Sequence, residues 1–325
     1  MKKVFVLLSS VVLLSLILTA CGPQATPAAP AAAQVVTVVV TQAPAATTTS
    51  VPPTVASTPV ATIDPSTLAQ KGKLEICSDF PYPPMEFYDD SGNPQGSDVE
   101  IGNEIATRLG LQTQWVNTVF DTIIEALQSP KCDLIISDMN ITADRNKQIS
   151  FIKYFQAGQS MLAAKGNPQN INSLTDLCGK SAAAESGTTE VDYLQGTGDY
   201  KTSGGVTQDC AKAGKPPVNV VIAQKDSDAL QQLQSGKVAV YFADSPVTAY
   251  YVVQHPDQFQ LVGQVVGLAP VGIGLSCGGA KDCTNAPLTA LGQAVETALK
   301  SMMSDGTYKK ILDKWQLSSG VVTLP

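Results

Sequence analysis

The sequence predicts an α/β protein with mostly parallel strands, and three observations lead there. Short apolar runs alternate with stretches of helical period, the pattern of strands joined by crossover helices. Four of the runs end in a polar cluster: Leu74-Glu-Ile-Cys-Ser-Asp79, Asp133-Leu-Ile-Ile-Ser-Asp138 (continuing Met139-Asn140-Ile-Thr-Ala-Asp-Arg145), Ser181-Ala-Ala-Ala-Glu185-Ser-Gly187-Thr188-Thr189 and Val238-Ala-Val-Tyr-Phe-Ala-Asp244. Roughly 260 residues follow the N-terminal segment, enough for one large domain or two lobes of ordinary size.

Taken in order, Ser97-Asp98 opens a helix in which Ile101, Ile105 and Leu109 recur at helical spacing, and Gly110 ends it. A second helix spans Phe120 to Gln128, burying Ile123, Ile124 and Leu127 before Ser129-Pro130 stops it. Strands are expected at Gln112 to Val116 and Asp133 to Ser137. A second set starts near Gln159 to Ala164. It continues through strands Ser181 to Ser186, Val218 to Ile222 and Val238 to Ala243, with helices at Asp226 to Gln234 and Pro246 to Gln254. The chain returns through Phe259 to Val266 and Gly272 to Ser276. It closes with a helical stripe of Leu288, Leu291, Val295, Leu299 and Met302, then Tyr308, Ile311, Leu312 and Trp315 beyond the Asp305-Gly306 break. Such a stripe is core.

Ligands of open α/β sheets sit outside the carboxyl ends of parallel strands. Four strand ends carrying charges of both signs suit a zwitterion, which needs a fixed cation for its carboxylate and a carboxylate for its ammonium.

At these residues the chain resembles the extracellular solute-binding proteins of polar amino acid ABC importers. The likeness runs from about Lys71 to Leu317, through Lys71-Gly-Lys-Leu, Tyr82-Pro-Pro-Met-Glu-Phe87, Phe120-Asp-Thr-Ile-Ile-Glu-Ala-Leu-Gln-Ser129, Ile141-Thr-Ala-Asp-Arg145, Gly187-Thr-Thr189, Leu233-Gln-Ser-Gly-Lys237 and Asp305-Gly-Thr-Tyr308. It implies the two-lobed periplasmic-binding-protein type II fold, with two mixed sheets, flanking helices and a double-crossover hinge. Lobe 1 would comprise residues 67–157 and 266–325, and lobe 2 residues 158–265. The tail would pack on lobe 1, with crossings near 156–160 and 264–268.

The resemblance also gives the site residues their expected roles. Arg145 grips an α-carboxylate, helped by the backbone N–H groups of Gly187, Thr188 and Thr189. Asp244 accepts from the α-ammonium, although an Asp before Ser245-Pro246 also suits a helix N-cap. Asn140 stands where the family has Ser or Thr, and Met139 lies beside it in the same segment. Tyr82 and Phe120 match an aromatic pair that sandwiches the ligand side chain. Asp79 matches the position that meets a cationic side chain in binders of basic amino acids. Asp138 and Glu185 depart from the family, where small, apolar or amide residues are common. Buried carboxylates are costly when unpaired, so a positive ligand group would explain all three, as would water access or a lysine neighbour.

The N-terminus has Lys2 and Lys3, an apolar run from Val4 to Leu18 and small residues before Cys21, a signal-peptide layout rather than an uncleaved anchor over residues 1–20. Leu18-Thr-Ala-Cys21 resembles a lipobox, which implies lipid on Cys21 and attachment at the outer face of the bacterial cytoplasmic membrane. Residues 21–66 turn to Pro, Ala, Thr and Val with almost no charge and read as a tether, in which Val35 to Val40 is alternatively a short strand.

Net charge is −7 with scattered Lys and Arg, which speaks against a nucleic-acid surface. The single histidine, His255, reads as a solvated loop residue, and one histidine builds no His-rich metal site. No cofactor is expected. Beyond Cys21, Cys77, Cys132, Cys178, Cys210, Cys277 and Cys283 suit disulfides in an exported protein. Six cysteines allow fifteen pairings. Locality favours Cys277 with Cys283 and Cys178 with Cys210, leaving Cys77 with Cys132.

The function this implies is a monomeric, non-enzymatic receptor that captures a cationic amino acid (arginine, lysine or ornithine) and delivers it to a membrane permease and its ATPase. A neutral polar ligand such as glutamine, a sensor role, and a dehydratase-like enzyme on the same fold are the alternatives.

Overall fold

A computed structural model describes Ala61 and residues 63–324. The expected signal peptide, lipid-bearing Cys21, most of the tether and the Val35 to Val40 patch lie outside the described residues.

In chain order the elements are β1 (Lys73–Ser78), β2 (Phe87–Tyr88), β3 (Pro94–Gln95), α1 (Ser97–Arg108), β4 (Gln112–Asn117), α2 (Ile123–Gln128), β5 (Leu134–Ile135) and α3 (Ala143–Asn146). Then come β6 (Ser150–Ala164), β7 (Ser181–Glu185), α4 (Thr189–Gln195), α5 (Tyr200–Ser203), α6 (Val206–Lys212), β8 (Asn219–Ala223), α7 (Asp226–Gln234), β9 (Val240–Asp244) and α8 (Ser245–Gln254). The last are β10 (Phe259–Leu275), α9 (Ala290–Ser304) and α10 (Thr307–Lys314).

Eight strands form one sheet in the order β4-β1-β5-β10-β6-β9-β7-β8. The strands β4, β1 and β5 run parallel at one end, and β9, β7 and β8 at the other. The expected pair of sheets is thus hydrogen-bonded into one. The cause is the length of β6 and β10, which pair antiparallel from Ser150 with Leu275 to Ala164 with Phe259. Two expected return strands are therefore one strand, and β6 begins nine residues before the expected Gln159. Its register with β10 slips three times, between Val262 and Val266, between Val266 and Ala269, and between Val271 and Gly272.

Buried side chains gather separately at the two ends of the sheet. Leu74 and Ile76 of β1, Ile101 and Ile105 of α1, Leu299 and Met302 of α9, and Leu312 of α10 share one cluster. The C-terminal helices therefore pack on the first strands, and the Tyr308 hydroxyl donates to the Tyr154 carbonyl at 2.7 Å. At the other end β7 and β9 are covered on both faces: Ala182, Ala184, Val240 and Phe242 pack to one side, Ala183 and Tyr241 to the other. This is the period of two expected of a strand, and double coverage explains their unbroken apolar runs. Ala61 and Ile63 pack on the first cluster, and Asp64 caps a 3-10 turn at Pro65–Thr67. The folded part thus starts earlier than residue 67, because these two apolar side chains find cover.

Three disulfides join Cys77 to Cys132, Cys178 to Cys210 and Cys277 to Cys283. The first links β1 to the residues before β5, its parallel neighbour.

Candidate functional site

The four polar clusters converge. Asp79 follows β1, Asp138 follows β5, and Glu185 and Asp244 end β7 and β9, so all four carboxylates lie at carboxyl ends of parallel strands. Together with Tyr82, Phe120, Asn140, Arg145, Thr188 and Thr189 they line one cavity of about 20 Å³.

Two expected contacts fall outside that cavity. Met139 is 1 % exposed and packs with Ile123, Leu127 and Ile149, while its neighbours Asp138 and Asn140 take the cavity side. Gly187 borders a neighbouring groove with Phe120 and Asp121, and its carbonyl accepts from the Arg145 guanidinium. Its φ of +78° and a Cα of Asp121 only 2.9 Å from where a Cβ would stand require glycine there.

Arg145 is carried by α3, whose Thr142 hydroxyl caps the Arg145 N–H at 3.1 Å. Its guanidinium donates to the Asn140 carbonyl at 2.8 Å and to the Gly187 carbonyl at 2.9 Å, and lies 5.2 Å from the Phe120 ring centre. The charge is thus held between both halves of the sheet and over an aromatic face. Asp144, its nearest acidic neighbour in sequence, pairs with Lys147 instead.

Further bonds cross the same gap. The Tyr82 hydroxyl donates to Asp244 Oδ2 at 2.9 Å, the Thr189 hydroxyl to Asn140 Oδ1 at 2.6 Å, and the Ser186 hydroxyl to Asp121 Oδ2 at 3.0 Å. The Ala143 N–H, at the start of α3, donates to Asp199 Oδ2 at 2.9 Å.

The carboxylates outnumber the partners offered to them. Neither oxygen of Asp138, and not Asp244 Oδ1, has a hydrogen-bond partner among the described residues, although the two side chains are 3 % and 4 % exposed. Burial pushes both well above the usual carboxylate range, and neighbouring acids add to it: Asp98 and Glu190 for Asp138, Glu190 and Asp138 for Asp244. Asp138 also adopts φ +38°, a left-handed conformation that Asp tolerates better than most residues. Asp79 accepts from the Phe120 N–H at 2.6 Å, so it also holds the turn before α2. Glu185 is pushed up to about 10, first by burial and then by Asp226 and Asp79.

Glu86, Ser137 and Glu190 were not expected. Glu86 and Ser137 line the cavity, with the Ser137 hydroxyl donating to Glu86 Oε1 at 2.6 Å. Glu190, pushed up to about 7 mainly by burial, leaves Oε1 unpartnered. The signal for Glu86 is an acid inside the otherwise apolar Tyr82-Pro-Pro-Met-Glu-Phe87. For Glu190 it is only adjacency to Thr189.

Comparison with known proteins agrees with this geometry. Residues 74–318 match the family model "Bacterial extracellular solute-binding proteins, family 3". The chain is 29 % identical over 260 residues to the lysine/arginine/ornithine-binding periplasmic protein of Escherichia coli K12, covering 79 % of this chain and 92 % of that one. It is 26 % identical over 234 residues to the ABC transporter arginine-binding protein 1 of the same organism, covering 72 % and 86 %. Among solved structures it is similar to an ancestral arginine-binding protein bound to arginine, at 34 % identity and a TM-score of 0.63, covering 75 % of this chain and 98 % of that one. The chain belongs to the bacterial extracellular solute-binding proteins of family 3.

Proposed function

We propose that this protein is the substrate-binding subunit of an ABC importer that captures a cationic amino acid, arginine, lysine or ornithine, and delivers it to a membrane permease. The observation that carries this is charge: Asp79, Glu86, Asp138, Glu185 and Asp244 line a cavity in which Arg145 is the cationic side chain. A ligand with one carboxylate and two positive groups balances that wall better than a neutral or acidic one. The names of the relatives support the same reading.

Arg145, with the backbone at Thr188 and Thr189, takes the α-carboxylate. Asp244 and Asp138 take the α-ammonium beside Asn140, Tyr82 and Phe120 flank the aliphatic stem, and Asp79 and Glu185 meet the distal cation. Capture requires the two halves to part, because about 20 Å³ holds little more than one water. Residues 67–157 with 266–325 form one lobe and 158–265 the other, and the register slips in the β6–β10 pair support a hinge there. Lipid on Cys21 and a tether hold the mature, monomeric protein at the membrane. In this reading the bound compound leaves unchanged, so the protein is a receptor rather than an enzyme.

The test is calorimetric titration of the mature protein with the common amino acids, ornithine and citrulline. Arginine, lysine or ornithine should bind more tightly than glutamine, and glutamate should not compete. Tightest binding of glutamate, or turnover of a bound compound, overturns the proposal. Mass spectrometry showing an unmodified Cys21 overturns the anchor alone.

A further inference from the structure

The far wall of the cavity has an unusual composition. Asp79 and Glu185 are 5 % and 7 % exposed, come from opposite halves of the sheet, and line the same cavity of about 20 Å³, close enough that each perturbs the other's carboxyl. Two carboxylates that close in a dry site do not both stay ionised. Their surroundings offer little relief. Lys225, at the start of α7, attracts Asp79 but donates its own ammonium to the Phe80 carbonyl at 3.3 Å. Asp226, next along α7, adds a further acid, held by the hydroxyls of Tyr241 on β9 and Tyr251 on α8. Glu86 lies on the Asp79 side and adds another acid. One donor reaches the pair from the backbone, the Phe120 N–H, which donates to Asp79 Oδ2 at 2.6 Å.

We infer that Asp79 and Glu185 are a proton-sharing pair that exchanges its proton for the distal cation of the ligand, so that the choice between a cationic and an amide side chain is set by pH. The inference rests on the proposed amino acid reading and deepens it. With the proton in place, the pair is a neutral acid and an anion, able to donate to the carbonyl of an amide side chain. When a guanidinium or ammonium enters, its charge stabilises both ionised carboxylates, the shared O–H bond breaks, and the proton leaves to solvent. Nothing is oxidised or reduced. Glu185, at the end of β7, is thereby a specificity-determining residue. Burial pushes both carboxyls upward, consistent with one proton held near neutral pH.

The experiment is calorimetric titration of arginine into the full mature protein in two buffers of different ionisation enthalpy, with the wild type and Glu185→Gln. The wild type should release about one proton more per arginine bound than the variant. Its arginine-to-glutamine affinity ratio should rise by about tenfold per pH unit between about pH 6 and about pH 8, and that rise should be absent in the variant. If Glu185→Gln fails to fold, Asp79→Asn supplies the same comparison, since its amide oxygen still accepts from the Phe120 N–H. Equal proton release in wild type and variant, or a pH-independent ratio, overturns the pair while leaving arginine binding intact. An absence of arginine binding at every pH, with another amino acid bound, overturns instead the cationic reading beneath it.

Discussion

The Tyr82 hydroxyl and the Asp244 carboxylate, 162 residues apart, meet at 2.9 Å, and the same hydroxyl accepts the Asp244 N–H at 3.2 Å. One phenol therefore satisfies both the side chain and the backbone of the residue that ends β9. Because Tyr82 and Asp244 belong to opposite ends of the sheet, the contact exists only when those ends are together.

Tyr82→Phe keeps the ring and removes both bonds. Losing partners for buried groups costs about 1–3 kcal/mol, so affinity for the ligand should fall by roughly ten- to a hundredfold. Ligand preference should stay the same. Calorimetry against arginine and glutamine measures both, and an unchanged affinity would show that the contact contributes nothing to the closed form.

Truncating either charged end of the clamp is more severe. Arg145→Ala and Asp244→Ala should each cost about 3–5 kcal/mol of binding, since each strands a ligand charge in a closed cleft. That is more than a hundredfold in affinity. Full binding by a folded Asp244→Ala protein would sink the assignment.

Asp138→Asn should separate stability from function. Its carboxylate has no partner and faces Asp98 and Glu190, so neutralising it removes repulsion, and Asn accepts the left-handed backbone. The melting temperature of the unliganded protein should rise while amino acid affinity falls. A lower melting temperature would contradict the picture of a wall held at a cost to stability.

Stability should also depend on pH in a defined direction. Asp98 is raised to about 6, and Glu190 and Asp226 to about 7, each chiefly by burial. Folded carboxyls with raised values bind more protons than their unfolded counterparts, so their contribution is whole below about pH 4 and is lost as pH climbs through about 6 to 7. Asp305 is lowered to about 2, so its opposite dependence lies below that window. Differential scanning calorimetry of the unliganded protein should show a melting temperature several degrees lower at about pH 8 than at about pH 5, and a saturating cationic ligand should shrink the gap. A flat profile would refute it.

The bridges should rank by the loop they close. Sequence separations of 55, 32 and 6 give, in the chain-entropy account, the order Cys77–Cys132, Cys178–Cys210, Cys277–Cys283. Paired Ser substitutions at Cys178 and Cys210 should cost about 3–4 kcal/mol. Denaturant titration of the three double variants checks the order, and free thiols at these six positions in the unreduced protein would contradict it.

The sequence was most legible where local pattern and tertiary role coincide. The Ile101, Ile105 and Leu109 spacing marks α1, the run at Val240 marks β9, and polar residues closing apolar runs mark Asp79, Glu185 and Asp244. It was least legible where long-range pairing decides the outcome. Ser150 to Gly158 mixes Lys153 and Gln156 with aromatics, and only pairing with β10 makes it a strand. Glu86 gains its role from Ser137, 51 residues away, and Glu190 from burial under Thr189, so no local spacing announces either. Met139 lies behind the wall because it packs with Ile123, Leu127 and Ile149, a tertiary contact that the local sequence does not announce.

Gly158 lies in β6 opposite the register slip between Val266 and Ala269, and a Cβ there would stand 2.5 Å from Val265 Cγ1 and 2.9 Å from the Val266 carbonyl. None of the three residues borders the cavity, so on the two-lobe reading this short stretch sets how easily the molecule bends and the wall residues set what it grasps. Ease of bending and choice of cargo are then inherited through different codons. A lineage can loosen or tighten retention at residues 158 and 265–266 without revisiting a single ligand contact, and can change its nutrient at Glu185 while leaving the bending stretch untouched.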